Sequence, residues 1–377
     1  DIIYFFIYLL IEIFLIRNRL NFMPSSIIIG SGSYIPENII RGEYFSNTEF
    51  YDNNNEKIDK PVEEIINKFV EITEIEERRF VDEDTFNSDI ATKAGLLAIE
   101  DAGIDKESID YVICATNFGE INNNGCQSYM PSVSALVKHK LGIKNLNCVN
   151  YDMVFGCPGW VEGMILANVL IKSGRAKNIL VIGSETLSRA TDPFDRDKMI
   201  FADGAGAVVL SATEEENIGV IADNTLCFNG EEIGYLCNSH SLNPNINQER
   251  QYVRMMGRKI YEFALKNVPQ AIKNTIEKAN IGIEDIDKIL IHQANAKMDH
   301  AIINRLYKLY GIRDFDHSVA PMTVQYLGNT SVATIPTMFD LMRKGKIEGQ
   351  HFKENSYIIF TSVGAGMNIN AIVYRFK

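Results

Sequence analysis

The 377-residue chain is sparing with the residues that metal-built and disulfide-built proteins depend on. Its six cysteines are Cys114, Cys126, Cys148, Cys157, Cys227 and Cys237, and no two of them form a CxxC pair. That spacing argues against a zinc site, and a chain of this length has no need of a disulfide framework. Most of the six are expected to be reduced, small and buried. Positive charge is scarce too: 37 Lys and Arg stand against 49 Asp and Glu, a net charge of −12. A general nucleic-acid binder, which needs a broad basic surface, is excluded on that ground. A local basic patch for an acidic protein partner is not. No low-complexity tract or long linker interrupts the chain.

A long apolar run is also missing. The stretch from Ile2 to Ile16 is broken by Glu12 and falls short of the ~20 residues that span a membrane. It has neither the basic start nor the small-residue cleavage site of a signal peptide. Residues 1–22 are therefore read as upstream sequence outside the core, with Met23 as the natural start, in preference to a membrane anchor. The protein is expected in the cytoplasm.

What is present is an ordinary globular mixture, 46% hydrophobic and 23% charged, with a repeat inside it. A helical pattern from Ala91 to Ala102 leads into the apolar run Ile109–Thr116; one from Val268 to Ala279 leads into Ile286–Gln293. Further on, a helix over Val161–Lys172 stops at Ser173-Gly174 before a strand at Ile179–Ile182. A helix over Val332–Lys344 stops at Gly345 before a strand at Tyr357–Thr361. The strands are continuously apolar, as in sheets covered on both faces by helices. The reading is a duplicated α/β unit, 23–200 and 201–377, sharing one core. By itself the repeat does not separate a duplication from two generic helix–strand pairs.

The chemistry-bearing residues fall at matching ends of these units. Cys157 lies in Phe155-Gly156-Cys157-Pro158-Gly159-Trp160, just before a helix. Unpaired N–H groups and the positive end of the helix dipole favour its thiolate; a small buried cysteine at a tight turn would look the same. His292 ends a strand, where α/β sheets place ligands, although a structural histidine also fits there. Asn329, in the loop that matches the Cys157 loop, is equally read as a helix N-cap. Gly364-Ala365-Gly366 could present backbone N–H groups to an oxyanion, or be a plain turn.

Taken together, Gly-Cys157-Pro-Gly, Asp203-Gly-Ala-Gly-Ala207, His292-Gln-Ala-Asn295, Gly328-Asn329-Thr-Ser331 and Gly364-Ala-Gly366 resemble the β-ketoacyl-ACP synthase III family, in its order, from Met23 to the C-terminus. The resemblance implies a thiolase-like fold with five α-β-α-β-α layers and a homodimer. It implies that Cys157 carries the acyl primer while His292 and Asn329 hold the malonyl thioester oxygen as carbon dioxide leaves. The product would be a 3-oxoacyl-ACP, with no metal and no cofactor beyond the phosphopantetheine of the substrates. The backbone N–H groups of Cys157 and Ala365 match an oxyanion hole. Arg196, in Asp192-Pro-Phe-Asp-Arg196, matches a pantetheine-binding position. Lys297 matches a basic position that docks acyl carrier protein, and Arg258 and Lys259 could join it. Met130, Trp160 and Phe69 are the further candidates for contact with substrate.

The chain also departs from the family. Gly-Cys157-Pro-Gly-Trp160 replaces the usual Ala-Cys-Ala-Gly-Phe. The tryptophan–arginine pair that clamps adenine is replaced by Lys68-Phe69-Val70-Glu71-Ile72-Thr73, which puts coenzyme A as primer carrier in doubt. Three other activities fit the fold: acyl transfer to a hydroxyl or amine, non-decarboxylating condensation, and an idle scaffold. Keeping His292 with Asn329 disfavours the first, the absence of a carboxylate at Tyr129-Met130-Pro131 the second, and the intact trio the third.

Overall fold

The computed structural model describes residues 24–246 and 248–377, so the expected extension 1–22 lies outside the described residues. Five strands make one sheet: β1 (Ser25–Tyr34), β2 (Tyr111–Ala115), β3 (Val149–Met153), β4 (Asn178–Thr186) and β5 (Asp203–Thr213), in the order β1-β5-β4-β2-β3. Four make the other: β6 (Gly219–Cys227), β7 (Ile286–Ile291), β8 (Tyr357–Gly364) and β9 (Asn368–Arg375), in the order β6-β9-β8-β7. In both, a parallel pair (β2·β4, β7·β8) adjoins an antiparallel pair (β4·β5, β8·β9). The topology shows the duplication that the sequence repeat suggested. The expected division after residue 200 precedes β5, however, and β5 hydrogen-bonds to β1 and β4, so the first sheet runs to Thr213.

The helices that matter are α1 (Val62–Thr73), α2 (Asn87–Ala102), α3 (Val133–Lys140), α4 (Gly159–Lys172), α5 (Gly257–Lys278), α6 (Ala296–Leu309) and α7 (Thr334–Arg343). One apolar cluster joins α4 and α7 to both sheets. A second joins α2 and α3 to the outer face of the first sheet, and a third joins α5 and α6 to the outer face of the second. Helices α2 and α3, the first sheet, α4 and α7, the second sheet, and α5 and α6 are thus the five layers. The middle one is apolar on nearly every side: Trp160, Met164, Val332, Met338 and Phe339 are all essentially inaccessible. Each such side chain contributes roughly 1.5–3 kcal/mol by burial. Both sheets point strand ends at the starts of α4 and α7, where Cys157 and Asn329 sit.

Candidate functional site

Cys157 lies between β3 and α4, with Pro158 at φ −65° forming the helix entrance. Two glycines let its loop meet the end of β8. Gly156 has φ +69°, and a Cβ there would come 2.6 Å from the Ala365 nitrogen; a Cβ on Gly364 would come 2.5 Å from the Cys157 nitrogen. Any larger residue would force the loops apart. Cys157 and Ala365 consequently share a cavity of about 220 Å³, walled mainly by Phe118, Leu187, Phe201 and Val253. The thiol is not the thiolate that the helix start suggests. Burial pushes it up to about 11, against the opposing influence of the nearby Ser331 hydroxyl. Desolvation outweighs the local donors here.

His292 follows β7, and its backbone N–H donates to the Thr361 carbonyl at 2.9 Å. Burial pushes its imidazole down to about 4, only partly opposed by the nearby Ser331 backbone. The ring is neutral at pH 7, and Nδ1 has no hydrogen-bond partner among the described residues. Its motif neighbours have structural duties. Gln293 Oε1 accepts the N–H groups of Thr323 and Val324 at 2.8 and 2.9 Å, and its Nε2 donates to the Pro321 carbonyl at 2.9 Å. Asn295 caps α6 by accepting the Met298 N–H at 2.8 Å.

Asn329 is held by its backbone between Ile200, whose carbonyl accepts its N–H, and Ala202, whose N–H donates to its carbonyl, each at 2.9 Å. Its side chain does not cap α7. Oδ1 accepts the Ser331 N–H two residues on, at 2.8 Å, which fixes the amide plane and leaves Nδ2 free of any hydrogen bond to the described residues. Ser331 takes φ +52° to make this turn. Its N–H thereby ties it to Asn329, and it lines the same small cavity as Cys157.

A larger cavity of about 840 Å³ lies on the other side of the 200–202 segment, with Ile200 on its wall while Phe201 walls the smaller one. Phe69, Arg196, Arg258 and Lys297 all line it. Phe69 is mostly buried, with the Arg78 guanidinium 6.0 Å from its ring centre.

Three expected contacts are not in either cavity. Trp160 is 1% exposed and packs edge-on against Phe360 in the middle layer, its indole N–H donating to the Val181 carbonyl; as the second residue of α4 it turns inward, away from Cys157. Met130 is 87% exposed on the surface. Lys259 lies over the Tyr235 ring instead, because helical spacing turns it from the face that carries Arg258. Conversely, Asn117 and Glu185 join the site without having been singled out. Glu185 carried a signal, a carboxyl at the polar end of a strand whose middle is apolar; Asn117 carried none. Among the described residues no three His, Cys, Asp or Glu converge as a metal site would.

Two family models match the chain: 3-oxoacyl-[acyl-carrier-protein] synthase III over residues 151–226 and its C-terminal counterpart over 276–376. The β-ketoacyl-[acyl-carrier-protein] synthase III of Clostridium acetobutylicum is 34% identical over 94% of this chain and 99% of its own length. That of Staphylococcus saprophyticus is 33% identical over 92% and 98%. Among solved structures, the 3-oxoacyl-[acyl-carrier-protein] synthase III of Aquifex aeolicus superimposes with a TM-score of 0.75 at 28% identity, covering 93% of this chain and all of that one. The priming β-ketosynthase of the R1128 polyketide pathway gives 0.75 at 25% identity, over 94% and 97%.

Proposed function

The chain belongs to the 3-oxoacyl-[acyl-carrier-protein] synthase III family, and from that premise we propose how its own residues divide the reaction. The enzyme performs a decarboxylative Claisen condensation of an acyl primer thioester with malonyl-ACP, giving a 3-oxoacyl-ACP for fatty-acid or related biosynthesis. Cys157 is the nucleophile. Its sulfur attacks the primer carbonyl, the new C–S bond forms, the primer's own C–S bond breaks, and the departing carrier thiol takes the proton. The backbone N–H groups of Cys157 and Ala365 receive the negative oxygen of the tetrahedral intermediate.

Malonyl-ACP follows. A neutral His292 with its proton on Nε2 and the free Nδ2–H of Asn329 donate to the malonyl thioester oxygen. The bond to the carboxylate breaks, carbon dioxide leaves, and the electron pair passes into the enolate. The enolate carbon attacks the acyl carbonyl; the C–S bond to Cys157 breaks, and the sulfur takes a proton from solvent. These side chains supply the stabilisation that a metal would otherwise give, so the reading needs no metal and no resident cofactor. The observation that carries it is the cavity that Cys157 shares with Ala365 and with Ser331, whose N–H fixes the Asn329 amide, while His292 follows β7, the neighbour of the strand that leads into Ala365.

The partners follow from the same reading. The phosphopantetheine arm enters by the larger cavity past Arg196, with Lys297 and Arg258 meeting acidic carrier protein at its mouth. Phe69 is packed under Arg78 and is poorly placed to stack on adenine, which supports a carrier-protein-bound primer over coenzyme A. A homodimer is supported by β3, an edge strand with Tyr151 half-exposed and the exposed Val154 just beyond it. The segment carrying Tyr129 and Met130 lies alongside, since Asp152 of β3 accepts the N–H groups of Val133 and Ser134. An unpaired apolar edge of this kind suits pairing with a second copy about a two-fold axis. No described helix is long and apolar enough to cross a membrane, and acyl-carrier-protein substrates support a cytoplasmic location.

The test is Cys157→Ala, followed by intact mass after incubation with matched acyl-CoA and acyl-ACP. The native enzyme gains one acyl group, faster from the carrier protein, and the variant gains none. Acylation of the variant at the native rate would refute the assignment.

A further inference from the structure

The reaction needs room for two unlike things, a polar carrier arm and an apolar acyl tail. Cys157 and Ala365 line the smaller cavity and not the larger one, so the tail of an acylated Cys157 has the smaller one to occupy. The four main wall residues of that cavity pack in one apolar cluster. Leu187 and Phe201 are buried in it. Val253 is tied to its neighbours by an N–H donated to the Ala190 carbonyl at 3.0 Å. Phe118 is the larger of the two wall residues that keep part of their surface open. The turn that carries it is clamped on both sides. The Asn117 N–H donates to Glu185 Oε1 at 2.6 Å, and the Gly119 carbonyl accepts from Asn87 Nδ2 at 3.0 Å. Asn87 Nδ2 also donates to the Thr116 hydroxyl at 3.0 Å, and that hydroxyl donates to Glu185 Oε2 at 3.3 Å. Asn87 Oδ1 in turn accepts from the Ser184 hydroxyl at 2.6 Å. Gly119 has φ +62°, and a Cβ there would come 2.9 Å from the Ser128 carbonyl.

We propose that Phe118 is a specificity-determining residue of the condensation: its ring, held in place through Asn87 and Glu185, limits the length of the acyl primer that Cys157 accepts. Asn87, Thr116, Ser184 and Glu185 are all essentially inaccessible. Moving the turn would leave these buried polar groups without partners, which is far costlier than breaking the same bonds in water. The ring therefore has no easy retreat from a longer chain. On the opposite side the wall is close-packed core, which does not yield to an extra methylene either. An apolar pocket with stiff walls discriminates by about tenfold or more for each methylene that does not fit, so the limit is a sharp one.

The inference rests on Cys157 as the acylated residue, and the experiment separates the two. Acylation is measured by intact mass with a ladder of straight-chain acyl-ACPs from acetyl to dodecanoyl, and the acylated peptide is identified after proteolysis. The native chain is compared with Phe118→Ala, Phe118→Trp and Asn87→Ala. Phe118→Ala should accept longer chains, with a gain of about tenfold or more for the first chain beyond the native limit, and should leave acetyl near native. Phe118→Trp should move the limit to shorter chains. Asn87→Ala frees the turn and keeps the ring, so it should blunt the limit instead of moving it. A merely structural role for Phe118 would lower acylation by all chains alike. A limit unchanged in the Phe118 variants would overturn the proposal, and either variant decides if the other does not fold. A sharp native limit in Asn87→Ala would overturn the clamp. An acyl group found on a peptide other than that of Cys157 would instead overturn the nucleophile, whatever the limit does.

Discussion

Replacing Asn329 with aspartate changes one atom, and the structure predicts which half of the reaction notices. Asn329 Oδ1 is occupied by the Ser331 N–H at 2.8 Å. An aspartate keeps that bond, the backbone ties to Ile200 and Ala202, and the volume. It loses the donor that faces the malonyl oxygen and puts an acceptor there. Removing one oxyanion donor costs about 2.7–4 kcal/mol, ~10²–10³ in rate; placing a carboxylate against a forming enolate adds repulsion, so the loss should exceed ~10³-fold at alkaline pH. The site is deeply buried, and burial raises a carboxyl's affinity for its proton. Once protonated, the introduced carboxyl again offers one O–H donor, so activity should partly return as pH falls. The assay is release of labelled carbon dioxide from malonyl-ACP, beside acylation of Cys157 read by mass. Acylation should stay near native in Asn329→Asp and in Asn329→Ala, while decarboxylation collapses in both, with acid recovery in the aspartate alone. Decarboxylation within about threefold of native in either variant, against the ~10² expected, would refute the assignment of Nδ2.

Two further outcomes follow. Lys297→Glu, at the mouth of the larger cavity, should raise the apparent Michaelis constant for malonyl-ACP and reverse its salt dependence, leaving acylation by a small thioester unchanged; an unchanged constant at low salt would remove Lys297 from the docking face. Glu185→Gln concerns stability. Burial raises Glu185 from an ordinary 4.5 to about 8, so the folded chain holds a proton that the unfolded chain gives up. Its contribution is therefore complete below about pH 4.5 and is lost as pH rises through about 8. Glutamine has no proton to lose, and the variant's thermal midpoint should fall less than the native one between about pH 6 and pH 9 in melting curves; parallel curves would show that Glu185 is already ionised in the fold.

Much of this was legible because the repeat is written in the helix–strand periodicity. The stretches Ile109–Thr116 and Ile286–Gln293 do become the equivalent strands β2 and β7, and the loops carrying Cys157 and Asn329 do open the two helices of the middle layer. Continuous apolar strands announce a sheet covered on both faces, and glycine beside a nucleophile announces a close approach. What the sequence could not convey was direction. Trp160 adjoins the nucleophile in the chain but points into the core, since consecutive residues on a helix diverge by about 100°. Met130 fills neither cavity of its own chain. The protonation of Cys157 was also hidden, because the local sequence displays the helix start and not the desolvation of the sulfur. Asn117 and Glu185 reach the site through hydrogen bonds between distant segments, which no spacing rule reports.

The contact between the Cys157 loop and Gly364-Ala365 has a bearing on how the protein is born. One side of that seam is made before the chain is half complete, and the other only when β8 has emerged near its end. Until then the cysteine has neither the Ala365 N–H beside it nor Asn329 and Ser331 across from it. A ribosome-bound fragment therefore carries an unassisted thiol and no means of cleaving a malonyl group. Long-range closure of this type is slow relative to local helix formation, so the capacity to consume activated acyl groups arrives late, together with the completed fold.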